Sequence, residues 1–418
     1  MNYISMILII SILFINFILY KKNKLNKKLF IISSFFIILY SIISILIYYN
    51  NFSKGFGDGI LLGPVAGNNF CDEERYYFES KILFNHFSNG EFFEWLTHKL
   101  PKIEYYTTIT QIPGYGNYNF FVVFLAFLRL LGLNTALNLI LFKIVFYIPT
   151  AIYLYKLARI YLNEKKSLIL VIFFSALPGY ILCNTLLMRD NIILLLLLIL
   201  LYYILNKETK LNYLIIIPVS ILLFMLRGYL ILILLATYIF LFKNDKKLIT
   251  YKDLLYILVI IITLLFFINY NFDNGLLNIF GFSDSQMSVL QETFIKENGN
   301  GLKMLLTVFV KTGIHIIYDP PLLNFLTTGS VYLILLSIGN ILGTILSVIF
   351  AIKYIYISIK NKDNKLTYLV KFIAYFSLLC GILVFSKDGF IINRVALMWL
   401  PLFIIIILIP INKFNKKE

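Results

Sequence analysis

The chain alternates long apolar runs with short polar breaks. Runs rich in Ile, Leu and Phe occupy 3–20, 30–49, 137–160, 167–187, 191–206, 211–226, 228–243, 253–270, 331–355, 366–385 and 391–411. A hydrocarbon core roughly 30 Å thick takes about 20 apolar residues as a helix, so each run is a predicted membrane span. The pattern predicts an all-α polytopic membrane protein with about 11 transmembrane helices. Residues 1–418 then form one transmembrane bundle, with a large first outer loop at 50–136 and a second at 271–330. Within the first loop, 119–133 (NFFVVFLAFLRLLGL) reads as a helix lying in or dipping into the interface, and 304–318 (MLLTVFVKTGIHIIY) reads likewise. Pro149, Pro178 and Pro218 fall inside runs. Each removes a backbone donor and bends its helix, which a bundle accepts when neighbours satisfy the freed carbonyl. The first run is no cleaved signal peptide, because its basic cluster follows the apolar stretch instead of preceding it.

Composition sharpens this picture. The chain is 60% hydrophobic and 14% charged, against about 25% charged in a soluble domain. A net charge of +16 points to nucleic acid only until its placement is traced. The loops 21–28, 156–166, 207–210, 243–253 and 353–365 and the tail 412–418 hold 22 of the 37 Lys and Arg and 6 of the 21 Asp and Glu. The whole excess therefore lies on one face, which the positive-inside rule makes cytoplasmic. No nucleic-acid partner is expected; membrane lipids are. The segments 50–136 and 271–330 are placed outside, in a multi-pass protein of the cell (plasma or inner) membrane. Three cysteines (Cys71, Cys183, Cys380) and three histidines (His86, His98, His315) are scattered singly, so neither a disulfide framework nor a zinc site is supported, and the sequence leaves a divalent metal open.

Ionisable groups are the informative minority, since a charge at mid-bilayer costs at least about 2.5–3.5 kcal/mol. No Asp or Glu falls in the middle of a predicted span, which disfavours an ion-coupled transporter. Polar chemistry gathers instead at the outer ends of spans and in the first loop. Cys71-Asp72-Glu73-Glu74-Arg75-Tyr76-Tyr77 sets three adjacent carboxylates beside aromatics and an Arg. It reads either as a solvated acidic turn or as a partly desolvated base able to take a proton from an attacking hydroxyl. Arg189 (with Asp190), Arg227, Lys387 and Arg394 fall at outer helix ends, where topology disfavours them. They either snorkel to headgroups or bind a lipid phosphate. Gly55–Gly59 reads as a turn, since it lacks the strand and helix that a phosphate loop needs. Pro113-Gly114-Tyr115-Gly116-Asn117-Tyr118 reads as a turn with aromatic anchors or as a sugar platform. His315 and Asp319 supply too few ligands for a metal.

Taken in order, these features resemble the GT-C superfamily of membrane glycosyltransferases, in particular bacterial relatives of the protein O-mannosyltransferases and aminoarabinose transferases. The signals are the Asp72-Glu73-Glu74-Arg75-Tyr76 pattern, the Pro-Gly-Tyr stretch, and a helix ending in Leu-Gly-Leu-Asn at 131–134. Tyr155-Lys-Leu-Ala-Arg159, Ala176-Leu-Pro178, the Met188-Arg189-Asp190 turn and Asn393-Arg394 follow. The acidic pair follows the second span here, whereas the family usually places it after the first.

The resemblance implies a polyprenyl-phosphate-linked sugar as donor and a glycan, lipid or protein as acceptor. It also implies Asp72 as catalytic base, Glu73 as the neighbour that orients it or the acceptor, and Arg189, Arg227, Lys387 and Arg394 as phosphate-binding groups. Two other functions suit the same residues: a polysaccharide polymerase or ligase of the O-antigen type, and a lipid or glycan flippase with no covalent chemistry.

Overall fold

The computed structural model describes residues 3–60, 71–106, 114–206, 213–241, 331–360, 364–384 and 396–410. Every regular element among them is a helix: α1 (Tyr3–Lys21), α2 (Lys27–Ser53), α3 (Cys71–Ser88), α4 (Phe92–Leu96), α5 (Phe120–Leu130), α6 (Ala136–Lys143), α7 (Tyr147–Arg159), α8 (Glu164–Ser175), α9 (Pro178–Thr185), α10 (Asp190–Leu205), α11 (Tyr213–Leu241), α12 (Val331–Lys360), α13 (Asn364–Val384) and α14 (Leu400–Leu408). Among the described residues, four helices are long and apolar enough to cross a membrane: α1, α2, the continuous α6–α7 stretch Ala136–Arg159, and Ile334–Ile357 within α12. A fifth is reached if the bent pair α8–α9 is one span, and shorter apolar helices lie at Phe120–Leu130, Asp190–Leu205, Tyr213–Gly228 and Leu366–Ser377. The expected spans 253–270 and, in part, 391–411 lie outside the described residues, as does the expected interfacial segment 304–318.

The described helices fall into two compact units. The first takes in Met1–Tyr155 and Val171–Leu198, the second Lys156–Leu170 and stretches after Ile199. In the first, α1 presents Ile7, Ile10 and Phe14 outward, each more than half exposed, as a lipid-facing helix does. Its inward face carries small polar groups. The Asn16 amide donates to Ser34 Oγ at 2.9 Å and its carbonyl accepts from Ser33 Oγ at 3.1 Å, joining α1 to α2. Ser5 Oγ donates to Asn138 Oδ1 at 2.7 Å, joining α1 to α6. Where apolar side chains gain nothing over lipid tails, such bonds and close packing hold helices together.

The run 167–187 was expected as one span bent by Pro178. It is two helices meeting at 62°, with Pro178 starting the second. The break is satisfied from α2 and α7: Tyr40 Oη donates to the Ser175 carbonyl at 2.7 Å, and Tyr147 Oη pairs with Ser175 Oγ at 2.9 Å. Tyr40, Tyr147 and Tyr180 are fully buried and meet edge-on or tilted, with centroids 5.2–6.3 Å apart. The bend ends α9 at a short turn, 186–189, before α10 begins.

The segment expected at the interface is α5, capped by the Asn119 side chain. It packs along α3, and Arg129 fastens its end. That guanidinium donates to Ser80 Oγ (3.2 Å), the Tyr77 carbonyl (3.1 Å) and the Asn134 carbonyl (2.8 Å), above the Tyr77 ring.

In the second unit, α11 packs on α13. At Arg227 the α11 backbone is extended (φ −159°, ψ 77°), so the expected runs 211–226 and 228–243 meet there. The carbonyl end of α14 is closed by two lysines: Lys166 Nζ donates to Leu408 O at 2.7 Å, and Lys353 Nζ donates to the Ile407 and Ile409 carbonyls.

Candidate active site

The acidic run is the first turn of α3, where a helix presents unpaired N–H groups and the positive end of its dipole. Helical spacing sends its four acidic side chains to different partners. Asp72 Oδ1 is 2.5 Å from Arg75 Nη2, one turn on, and accepts from Tyr115 Oη at 2.5 Å. Arg75 Nη2 also donates to Tyr115 Oη at 2.9 Å, so the three groups close a ring. Glu73 is buried and accepts from the Leu187 N–H at 2.9 Å, tying α3 to the 186–189 turn. Glu74 accepts from Tyr105 Oη at 2.7 Å. Glu79, two turns further on, accepts the Tyr115 N–H at 2.8 Å and the Gly116 N–H at 2.7 Å.

Glu79 explains how Tyr115 reaches Asp72 across 43 residues of sequence. Its carboxylate grips the 114–116 loop from beneath, and Gly114 donates to the Tyr105 carbonyl at 2.8 Å. A Cβ at Gly114 would lie 2.5 Å from Glu79 Oε1 and 3.1 Å from the Tyr105 carbonyl, so only glycine fits there. The Tyr115 ring stacks on Tyr76 with centroids 4.7 Å apart and planes 8° apart. The Arg75 guanidinium lies 4.0 Å from the Tyr115 centroid.

Arg189 completes the cluster. Its guanidinium carbon is 5.5 Å from the Tyr115 centroid and 5.9 Å from that of Tyr76, within the field of Asp72 and Asp190. Its Nε is buried, and no hydrogen bond reaches it among the described residues. Such a group is costly to leave unmatched, and a planar guanidinium suits an oxyanion.

Burial, then Asp72 and Tyr76, push the Tyr115 phenol well above its usual range, so it stays a neutral donor. Burial lifts the Glu79 carboxyl to about 7, against the opposing pull of the Tyr115 and Gly116 N–H groups and Arg75. Among the described residues no group of three His, Cys, Asp or Glu is arranged to hold a metal.

Of the residues expected to act, Asp72 and Arg189 are brought to one place, and Glu73 reaches the turn that carries Arg189. Arg227 lies in the second unit, its Nη1 3.9 Å from Met398 Sδ. Lys387 and Arg394 lie outside the described residues. The structure adds Arg75, Tyr76, Glu79 and Tyr115. Arg75 and Tyr76 stand in the acidic pattern, and Tyr115 in the Pro-Gly-Tyr stretch, that the sequence had singled out; Glu79 carried no sequence signal.

Residues 120–270 match the family model described as dolichyl-phosphate-mannose-protein mannosyltransferase. This is a GT-C glycosyltransferase family. The match begins at α5 and takes in Arg189 and Arg227, with Asp72 upstream of it. It bears out the resemblance drawn from the order of motifs and supports glycosyltransferase activity. With the apolar helices it supports a membrane glycosyltransferase of the GT-C type, whose kind uses a lipid-linked sugar donor and a glycan or protein acceptor. No curated protein and no solved structure matches the chain.

Proposed function

We propose that the chain transfers a sugar from a polyprenyl-phosphate donor to an acceptor hydroxyl at the non-cytoplasmic face of the cell membrane. The observation that carries this is the Arg189 guanidinium, held over Tyr76 and Tyr115 beside Asp72 with its buried Nε unbonded. In the transfer, the acceptor oxygen forms a bond to the anomeric carbon as the bond from that carbon to the phosphate oxygen breaks. The bonding pair leaves on the phosphate, and the acceptor proton passes to Asp72. Arg189 stabilises the charge gathering on the departing phosphate, where fixed donors lower the barrier most. Tyr115 and Arg75 hold Asp72 in place through Oδ1. Glu73 contributes through the turn it anchors. Arg227, Lys387 and Arg394 remain further phosphate-binding groups in this reading.

The test is Asp72→Asn in native membranes supplied with a polyprenyl-monophosphate sugar. General-base help contributes about 10²–10⁴-fold, so turnover should fall by that factor with membrane insertion intact. Wild-type turnover in this variant removes Asp72 from the mechanism. Turnover of a pyrophosphate-linked oligosaccharide in place of the monophosphate would identify a polymerase or ligase instead.

A further inference from the structure

The site as described leaves a fully buried cation unexplained. Lys143 closes α6, is 1% exposed, and lies in the apolar stretch between Leu139 and Tyr147. Its ammonium donates to three backbone carbonyls: Cys183 and Met188 at 2.7 Å each, and Leu186. An ammonium carries three protons, so this set uses every donor it has. The carbonyls are those that the end of α9 and the following turn leave without helical partners. Asn191 returns the link, its amide donating to the Lys143 carbonyl and to Asn184 Oδ1 at 3.3 Å each.

The same turn is held from the opposite chemical side. The Leu187 N–H, between two carbonyls bound to Lys143, donates to Glu73 at 2.9 Å. Met188 N donates to Leu186 O at 2.8 Å, and the Arg189 carbonyl starts α10 by accepting from Ile192 and Ile193. The peptide groups of 186–189 are thus fixed in sequence by a buried ammonium, a buried carboxyl and a helix start. Arg189 follows Met188, whose carbonyl Lys143 holds, so the root of its side chain has little freedom.

We infer that Lys143 and Glu73 are a positioning pair: they clamp the 186–189 turn and thereby aim the Arg189 guanidinium at the phosphate of the lipid-linked donor. This rests on the reading of Arg189 as a phosphate-binding group. A cation buried only for stability would be poorly chosen, because burying an ion costs several kcal/mol and apolar replacements often match or exceed it. What an ammonium supplies that Leu or Met cannot is three directed donors at one point, which sets the turn's conformation. The chemical prediction is that loss of Lys143 acts through Arg189 and not beside it.

The experiment is a double-mutant cycle on purified full-length protein in detergent, titrated with a polyprenyl phosphate carrying no sugar; the same polyprenol without phosphate is the control. Loss of one charge-assisted contact corresponds to roughly ten- to a hundredfold in affinity, the range expected for Arg189→Ala. Lys143→Met should weaken phosphate binding by about tenfold and leave polyprenol binding unchanged. Adding Lys143→Met to Arg189→Ala should change affinity by less than about twofold, since an unaimed side chain cannot be lost twice. Losses that multiply, or wild-type affinity in folded Lys143→Met, overturn the inference.

Should Lys143→Met fail to accumulate, Lys143→Gln keeps two donors and carries the same cycle. If neither variant accumulates, Lys143 serves folding alone and the inference is wrong. Failure of the transferase reading looks different: wild type binds the phosphate but transfers no sugar from any polyprenyl-phosphate donor. A wild type that does not bind the phosphate defeats both.

Discussion

A carboxylate buried as deeply as Glu79 works against folding whenever it is charged, and its position under the 114–116 loop converts that cost into a pH dependence. Its carboxyl titrates near 7, whereas an unburied one titrates near 4.5. Between those values the folded chain keeps a proton that the unfolded chain has released, so stability falls as pH rises through the window and levels off above about 7. The slope from this group approaches about 1.4 kcal/mol per pH unit. Arg75 is the charged neighbour that limits the shift. Glu79→Gln removes the titration while keeping one acceptor for the loop. Its thermal midpoint should therefore change less between pH 5 and pH 8 than that of the wild type. Parallel pH profiles for the two proteins would assign the dependence to other groups. The carboxylate persists because its charged form holds two backbone N–H groups at once, which fixes Tyr115 on Asp72.

Among elements, the decisive contact is α3 with α5, since α3 carries Asp72 and α5 follows the loop that brings Tyr115. Arg129 secures this pair with three hydrogen bonds and a stacked ring. Arg129→Met keeps the stem and leaves Ser80 Oγ and two carbonyls without their donor. The expected loss is about 1–3 kcal/mol of stability, the range for leaving buried polar groups without their partner. Chemical unfolding in mild detergent checks it, and a loss below about 1 kcal/mol would show the α3–α5 contact to be held by apolar packing alone. This pairing also marks where the sequence stops being readable. The sequence marked 119–133 as a helix, the stretch that becomes α5, but left the acidic run a solvated turn or a desolvated base, with no sign that it opens α3. The meeting of Asp72 with Tyr115, and of Glu79 with the 114–116 loop, joins residues 36 to 43 positions apart with no periodicity to reveal them. Lys143 was hidden for another reason: its partners are backbone carbonyls, which every residue has. Pro178 was legible as a disturbance of its run, but not as a 62° break, because the size of the bend depends on Tyr40 and Tyr147 arriving to bond Ser175.

At the scale of the whole molecule, the apolar runs and the one-sided distribution of Lys and Arg make a joint claim about orientation. The long apolar helices α1 and α2 meet in a five-lysine segment, Lys21, Lys22, Lys24, Lys27 and Lys28, and α2 leads into the loop that holds the acidic site. Positive charge in short loops is retained on the cytoplasmic side, so the proposed orientation puts the α1–α2 turn inside and α3 outside. Asn23 and Asn89 are both exposed and lie at these two places. In a background with Cys71→Ser, which leaves the two buried cysteines Cys183 and Cys380, single cysteines at 23 and 89 report on the two faces. A membrane-impermeant thiol reagent applied to intact cells should label position 89 and spare position 23, and permeabilised cells should label both. Labelling of position 23 alone would put Asp72 and Arg189 in the cytoplasm, beside soluble nucleotide-activated sugars. A lipid-linked donor reached from the outer face would then no longer be the substrate that the site is built to meet.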